Sequence, residues 1–308
     1  MNKTLWMQAV LPWEMRQLKP DICHFTNSVA PLLSPCHVVV TIHDMTLWLY
    51  AHYHHRKRLL SMRPLIPLAA RRAAAIITVS HSAKADIVRI LGTDAAKIHV
   101  IHEAPPADFQ PLPPGAALEA VRSRYKLPRH FILHVGTLEP RKNLVRLIEV
   151  FARLHRAGTI PHSLVFVGAN GWMTEPVFEA VERLALHEVV RFLGHVPQDD
   201  MAKLYNLADV VTFPSLYEGF GLPVVEAMAC GTPVVTSRRG ALEEVAGEAA
   251  EFVEPTEDDS IAEGLCRVLT NPNRHAELRA CGLARAAQFS WAATAAQTMR
   301  VYEQVVQA

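Results

Sequence analysis

From residue 131 onward, short runs rich in β-branched residues alternate with amphipathic stretches, and this alternation limits the fold more than any other feature of the chain. The runs are FILHVG, SLVFVG, VVRFLG, VVTFPS, PVVTS and EFVEP, each followed by a polar or helical segment. Such a pattern predicts a parallel sheet with covering helices. Three of the runs end in glycine (Gly136, Gly168 and Gly194), where the backbone must turn sharply or let something approach closely. Open parallel sheets bind their ligands at these carboxyl ends.

The earlier part carries fewer strand-like runs, DICHFT, HVVVTIH, AAIITVS and KIHVIHE, around one long helical region from about residue 56 to 75. It reads as a thinner α/β layer. Between the two lies APPADFQPLPPG, whose prolines continue neither a helix nor a central strand, and the domain linker is expected there. The expected division is residues 1–114, residues 115–290, and a closing helix at 291–308 that crosses back onto the first domain. With 308 residues, half of them hydrophobic, the chain can fill two cores at roughly 150 residues per domain.

Thirty-one Lys and Arg against thirty Asp and Glu give no field that would draw the protein onto nucleic acid, so any anion must be held locally. The five scattered cysteines form no metal or redox pair and are expected as buried small hydrophobes in a reducing cytoplasm. The opening MNKTLWMQAVLPWEM lacks a cleavage site and is a poor export signal. No run is apolar for long enough to span a bilayer, so membrane contact is expected to be peripheral, at the inner face.

The richest segment is SLYEGFGLPVVEAMACGTPVV, residues 215 to 235. A strand ends at Ser215, a loop with Glu218, Gly219, Phe220 and Gly221 follows, and Pro223 starts a helix that Gly231 ends. Glycines ahead of a helix N-terminus leave backbone N–H groups bare for an anionic or hydroxyl-rich ligand. Glu218 in the loop and Glu226 one turn into the helix can each accept hydrogen bonds from vicinal hydroxyls. A second segment, HVGTLEPRKN at 134 to 143, ends its strand at Gly136 and sets Arg141 and Lys142 at the start of the next helix, a diphosphate site.

EGFGLPVVEA resembles the donor-site motif of the GT-B glycosyltransferases of family 4, whose two glutamates are separated by seven residues, as Glu218 and Glu226 are. The resemblance implies an α/β GT-B architecture, two Rossmann-like domains facing across a cleft, and a retaining hexosyl transfer. It implies that Glu218 faces the donor hexose, Glu226 the ribose, and the amides of Phe220, Gly221 and Leu222 the sugar and diphosphate. HVGTLEPRKN is similar to the family's phosphate segment, with Thr137 where many members carry arginine. This form resembles the mannosyltransferase-like branch that builds bacterial surface polysaccharides. GDP-mannose is the favoured donor and a UDP-sugar the second choice, with a glycan or lipid-linked acceptor and no cofactor. FLGHVPQDDMAKLY is similar to the base-contacting loop, which assigns His195 and Val196 to the nucleobase.

In the first half, His43 and Asp44 follow a strand. A histidine there serves structure as readily as catalysis. The resemblance makes His43 a polar contact to sugar or phosphate. His52, His54 and His55 run into Arg56, Lys57 and Arg58, and the positive neighbours disfavour a metal. That basic run reads as a solvated face or a contact for anionic lipid. No Asp-x-Asp motif stands at a strand end, so metal-independent stabilisation of the leaving diphosphate by Arg141 and Lys142 is expected. Members of the family usually begin with further βα units and a glycine-rich loop, which nothing before DICHFT supplies. A shortened first domain is therefore expected, either from a shortened reading frame or as a natural minimal form whose missing walls come from a second copy or a partner chain. The competing readings are a catalytically silent nucleotide-sugar-binding subunit and another GT-B enzyme such as a nucleotide-sugar epimerase.

Overall fold

The structure, a computed structural model, describes residues 6–307. The reading of the opening stretch as a poor export signal falls partly on residues 1–5, outside the described residues. The chain divides into two compact units, one of Met1–Glu103 with Trp291–Ala308 and one of Ala104–Ser290.

The first unit holds four parallel strands in sequence order, β1 (Ile22–Phe25), β2 (His37–Thr41), β3 (Ala75–Thr78) and β4 (Ile98–Val100). Successive strand residues point to opposite faces. Val38 and Val40 therefore join a cluster with Ile66, Ala69, Ala70, Ile76 and Ile87 on one side. Val39, Ala75 and Ile77 join Val301 and Val305 of the helix Trp291–Gln307 on the other. That helix is held further by Thr294, whose hydroxyl donates to the His102 carbonyl at 2.7 Å, and by Tyr302, whose hydroxyl meets Nδ1 of His24 at 2.6 Å. The single long helix expected at 56 to 75 is instead two, Arg56–Met62 and Leu65–Arg72, separated at Arg63 and Pro64. Proline lacks the N–H that would continue the ladder.

The second unit contains all six strands expected, β5 (Phe131–Val135), β6 (Ser163–Val167), β7 (Val190–Phe192), β8 (Val210–Phe213), β9 (Val234–Ser237) and β10 (Glu251–Val253). They are parallel, in the order β10-β9-β8-β5-β6-β7. Helix Leu144–Arg156 buries Leu144, Leu147, Ile148, Phe151 and Leu154, a stripe at helical spacing that packs on the sheet and on the helices Glu175–Arg183 and Asp258–Leu269. Full burial of each such side chain contributes about 1.5–3 kcal/mol.

Residues 104–114, assigned by sequence to the first domain, are part of the second unit, so the division falls at Glu103 and not at 114. Proline removes internal hydrogen bonding, but the second unit supplies partners from outside the segment. Phe109 is buried with its ring 5.7 Å from that of Tyr205, Leu112 N–H donates to the Asn206 side chain at 2.7 Å, and Asn206 donates back to the Gln110 carbonyl at 3.0 Å. The cysteines also differ from expectation: Cys230 is buried, Cys281 is exposed, and the other three are half-buried. Among the described residues, no helix is long and apolar enough to cross a membrane.

Candidate functional site

In the second unit β5 and β8 are neighbours, while the chain leaves them in opposite directions, β5 toward β6 and β7 and β8 toward β9 and β10. The loops that follow them diverge, and this reversal point is where open α/β sheets receive ligands. Both motifs singled out by sequence, residues 136 to 143 and 214 to 222, are these two loops.

They are tied together by backbone and charge. Leu216 N–H donates to the Arg141 carbonyl at 2.9 Å, and the Asn143 side chain donates to the Pro214 carbonyl at 3.3 Å. Lys142 Nζ reaches Glu218 Oε1 at 2.8 Å and Arg141 Nη1 reaches Oε2 at 2.7 Å, so two cations share one carboxylate. Arg141 also pairs with Glu139 and donates to the Tyr217 carbonyl. The Lys142 ammonium stands 4.5 Å over the Phe213 ring, a cation–π contact within the cluster. Glu139, Lys142 and Glu218 are all buried.

Burial works to raise the Glu218 carboxyl, but Lys142 and Arg141 outweigh it and hold it at about 2. Lys142 is lowered as well, because burial exceeds the help from Glu218. Glu218 is ionised and faces charged partners, because two cations reach it within hydrogen-bond distance. Beneath them lies His134, fully buried in β5, with Nδ1 on the Thr212 carbonyl at 3.0 Å and Nε2 without a hydrogen-bond partner among the described residues. Burial first, and Lys142 second, lower it to about 3, so its ring is neutral.

The glycines shape the space in front of this cluster. A Cβ at Gly136, where φ is +147°, would stand 3.7 Å from Lys142 Nζ and 3.9 Å from His134 Nε2, so the bare backbone leaves that approach open. A Cβ at Gly168 would lie 2.1 Å from the Gly136 carbonyl oxygen, which makes the close stacking of these strand ends depend on glycine. Thr137 is exposed on the same loop. Arg141 and Lys142 do not open the helix, as the sequence suggested. They lie on a short 3-10 turn, Pro140–Lys142, and the helix starts after Asn143, whose φ of +62° redirects the chain.

After Glu218, Phe220 is buried edge-on against Phe289, and Gly221, with φ of +105°, precedes the helix Leu222–Ala229. Among the described residues, no acceptor in the protein meets the amides of Gly221 or Leu222. Glu226, half-buried on that helix, accepts from the Tyr205 hydroxyl at 2.7 Å, and burial raises its carboxyl despite that bond. His195 is exposed and Val196 buried after β7. His43 lies in the first unit, after β2, with Nε2 donating to the Thr26 carbonyl at 3.0 Å and Nδ1 3.6 Å from Glu103. Asp44 next to it accepts from Thr46 N–H at 2.8 Å and so closes a local turn.

The structure thus brings Arg141, Lys142 and Glu218 into one network, joined to Gly136 by proximity. Glu226 belongs to a second, smaller pairing. Sequence reasoning missed His134, Tyr205, Gly240 and Ala241. Ala241 N–H donates to the Glu218 carbonyl at 2.9 Å, and a Cβ at Gly240 would be 2.3 Å from that oxygen, so the loop after β9 braces Glu218 from behind. Of these only His134 left a sequence signal, a polar residue inside an apolar strand.

Comparison with known proteins adds independent findings. The family model described as glycosyl transferases group 1 matches residues 120–283, and that of Glycosyltransferase Family 4 matches residues 2–104. The O-antigen chain mannosyltransferase B of Escherichia coli is 32% identical over 291 residues, covering 94% of this chain and 76% of that protein. The MMP alpha-(1->4)-mannosyltransferase of Mycolicibacterium hassiacum is 33% identical over 243 residues, 77% of this chain and 56% of that protein. This chain thus spans about three-quarters of the first relative's length and little more than half of the second's. Among solved structures, sucrose-phosphate synthase from Thermosynechococcus elongatus superposes with a TM-score of 0.79 at 23% identity, over 96% of this chain and 76% of that one. The Anabaena HepE protein in complex with UDP and glucose gives 0.79 at 21%, over 100% and 84%. At those identities the likeness speaks for the fold, two parallel sheets of the GT-B kind.

Proposed function

The chain belongs to glycosyltransferase family 4, and from that premise we propose that it transfers a hexose, mannose in the first instance, from a nucleotide-diphosphate sugar to a glycan or lipid-linked acceptor with retention of configuration. It is a glycosyltransferase by family. The finer reading rests on one observation, the Arg141–Glu218–Lys142 cluster where β5 and β8 end side by side. Cations already fixed at the point where a diphosphate departs need no reorganisation during reaction, and electrostatic stabilisation of this kind is a large catalytic contribution.

In this proposal the acceptor hydroxyl attacks the anomeric carbon from the face the diphosphate is leaving. The bond from that carbon to the diphosphate oxygen breaks, and a phosphate oxygen takes the acceptor's proton. Lys142 and Arg141 hold the developing charge, while Glu218 keeps both cations in place and meets the hexose. Gly136 and Thr137 admit the phosphates, and the amides of Gly221 and Leu222 receive their oxygens. Glu226, fixed by Tyr205, takes the ribose hydroxyls, and His195 and Val196 the base. His43 is a polar contact to sugar or phosphate.

GDP-mannose is the favoured donor, supported by the mannosyltransferase relatives, with a UDP-sugar second. The pathway class is synthesis of cell-surface polysaccharide. Exposed Leu60 among Arg56, Lys57 and Arg58 favours a lipid-linked acceptor met at an anionic membrane surface.

The test is nucleotide release from a panel of GDP- and UDP-sugars, with and without lipid-linked acceptors, and anomeric configuration of the product by NMR. GDP release from GDP-mannose with an α-configured product is expected. Donor binding without turnover of any donor defeats the enzymatic reading in favour of a nucleotide-sugar-binding subunit. An inverted product defeats the retaining step.

A further inference from the structure

At the opposite end of the same strands, away from the donor loops, His130, His162 and Asp209 each stand one residue ahead of a strand, β5, β6 and β8 respectively. Those three strands are adjacent in the sheet and in register, Phe131 opposite Ser163 and Ile132 opposite Val210, so parallel pairing itself gathers the three side chains. One ligand atom from each lies within 4.8 Å of the others.

Among the described residues the cluster holds one direct side-chain hydrogen bond, His130 to Asp209 at the long end of the range, and leaves His162 outside it. His130 Nδ1 is 3.2 Å from Asp209 Oδ1, while His162 Nε2 is 3.7 Å from Oδ2, beyond hydrogen-bond range. Zinc-to-nitrogen and zinc-to-oxygen bonds of about 2.0–2.2 Å at tetrahedral angles separate neighbouring ligand atoms by about 3.3–3.6 Å. His162 carries the argument. Its side chain is only 8% exposed, its Nε2 is aimed at the carboxylate without reaching it, and its Nδ1 has no hydrogen-bond partner among the described residues. A buried imidazole nitrogen left without a hydrogen-bond partner is rare in a folded protein.

Asp209 is held from two sides, one contact on its carboxylate and one on its backbone carbonyl. Asp209 Oδ2 accepts the Phe131 N–H at 2.8 Å, and the Asp209 carbonyl meets His275 Nε2 at 3.0 Å from the helix Pro272–Ala286. Side-chain exposures of 49% for His130 and 29% for Asp209 leave a path for an ion and a position open to water.

We propose that His130, His162 and Asp209 form a binding site for a zinc-like divalent cation, zinc, cobalt or nickel, that ties together the amino ends of β8, β5 and β6. Two imidazoles and one carboxylate match the ligand preference of these borderline metals over calcium or magnesium, which take oxygen. The site is separate from the donor loops, so it acts on the stability of the second unit and not on the leaving diphosphate.

The experiment is titration of the untagged, chelator-treated full chain with Co(II) and Zn(II), followed by the visible absorption of tetrahedral cobalt, by calorimetry and by thermal unfolding. One equivalent per chain is expected, with a rise in Tm on binding. His130→Ala, a change at a half-exposed residue, and Asp209→Asn, which keeps an acceptor for Phe131 N–H, should each weaken binding by about 10- to 100-fold or more, the loss already caused by removing groups that merely support a ligand. His130→Ala should keep the metal-free Tm of the wild type. Absence of saturable binding overturns the site. So does binding that survives undiminished in both variants, which would assign the metal to other histidines.

Discussion

Replacing Glu218 by glutamine isolates the charge at the centre of the Arg141–Glu218–Lys142 cluster while keeping its shape. In the native protein the carboxyl is held at about 2 against an ordinary value of 4.5. A depressed carboxylate contributes stability that is fully present above 4.5 and is lost as pH falls toward the folded value. The fall from 4.5 to about 2, at about 1.4 kcal/mol for each pH unit, amounts to about 3 kcal/mol at neutral pH. About 2 kcal/mol of it remains at pH 3.5 by the same linkage. Glu218 is buried, so solvent screening takes little from this figure, and the cost of burying Lys142 makes it an upper one. Glu218→Gln should therefore lower the transition of the second unit by about 6–12 °C at pH 7, at roughly 2–4 °C per kcal/mol for a unit of this size. The deficit should shrink by about a third at pH 3.5. Thermal unfolding of both proteins across pH 3.5–7 reads this directly. A deficit that stays constant with pH, or one below about 1 kcal/mol at pH 7, would refute the view that an ionised Glu218 binds the two loops together.

Three further perturbations address neighbouring parts of the site. Lys142→Ala should reduce kcat/KM for the donor by about 10- to 100-fold, the value of one charge-assisted hydrogen bond of about 1.5–3 kcal/mol, and an unchanged rate of nucleotide release would remove Lys142 from the proposed chemistry. Gly240→Ala forces a Cβ to 2.3 Å from the Glu218 carbonyl oxygen at a φ of +62°, and denaturant unfolding should register a loss of about 1–3 kcal/mol together with weaker donor binding. Tyr205→Phe removes the hydroxyl that donates to Glu226, whose carboxyl burial already raises. The expected loss of about 1–3 kcal/mol should grow as pH rises above 4.5 and the unsupported carboxylate ionises, and a pH-independent loss would point to packing alone.

Much of the fold was legible because its signal is local. Most of the ten strands are short, largely apolar runs, β-branched most clearly in β2, β3, β8 and β9, and the helix Leu144–Arg156 carries its buried stripe openly in its spacing. The ends of the loops after β5 and β8 were legible for the same reason, since Gly136 and Gly221 occupy backbone conformations that other residues resist. What sequence could not supply is pairing across distance. Lys142 and Glu218 lie 76 residues apart, and only the adjacency of β5 and β8 makes them partners. Local reading assigned them separate duties for that reason. The brace from Gly240 and Ala241 comes from a third loop with no motif of its own. The division of the chain was misplaced by eleven residues because proline content marks where helices stop, whereas the docking of Phe109 and Leu112 decides which core a segment joins.

The helix Trp291–Gln307 belongs to the first unit, although residues 104 to 290, 187 in all, separate it from the rest of that unit. During synthesis at roughly 5–20 residues per second, β1 to β4 emerge about 10–40 s before the helix that covers Val39, Ala75 and Ile77. The second unit, uninterrupted in the chain, can close its core in that interval. The unit whose strands are made before the second unit is thus completed only after it, and for that time its sheet presents an apolar face that chaperones or aggregation can reach.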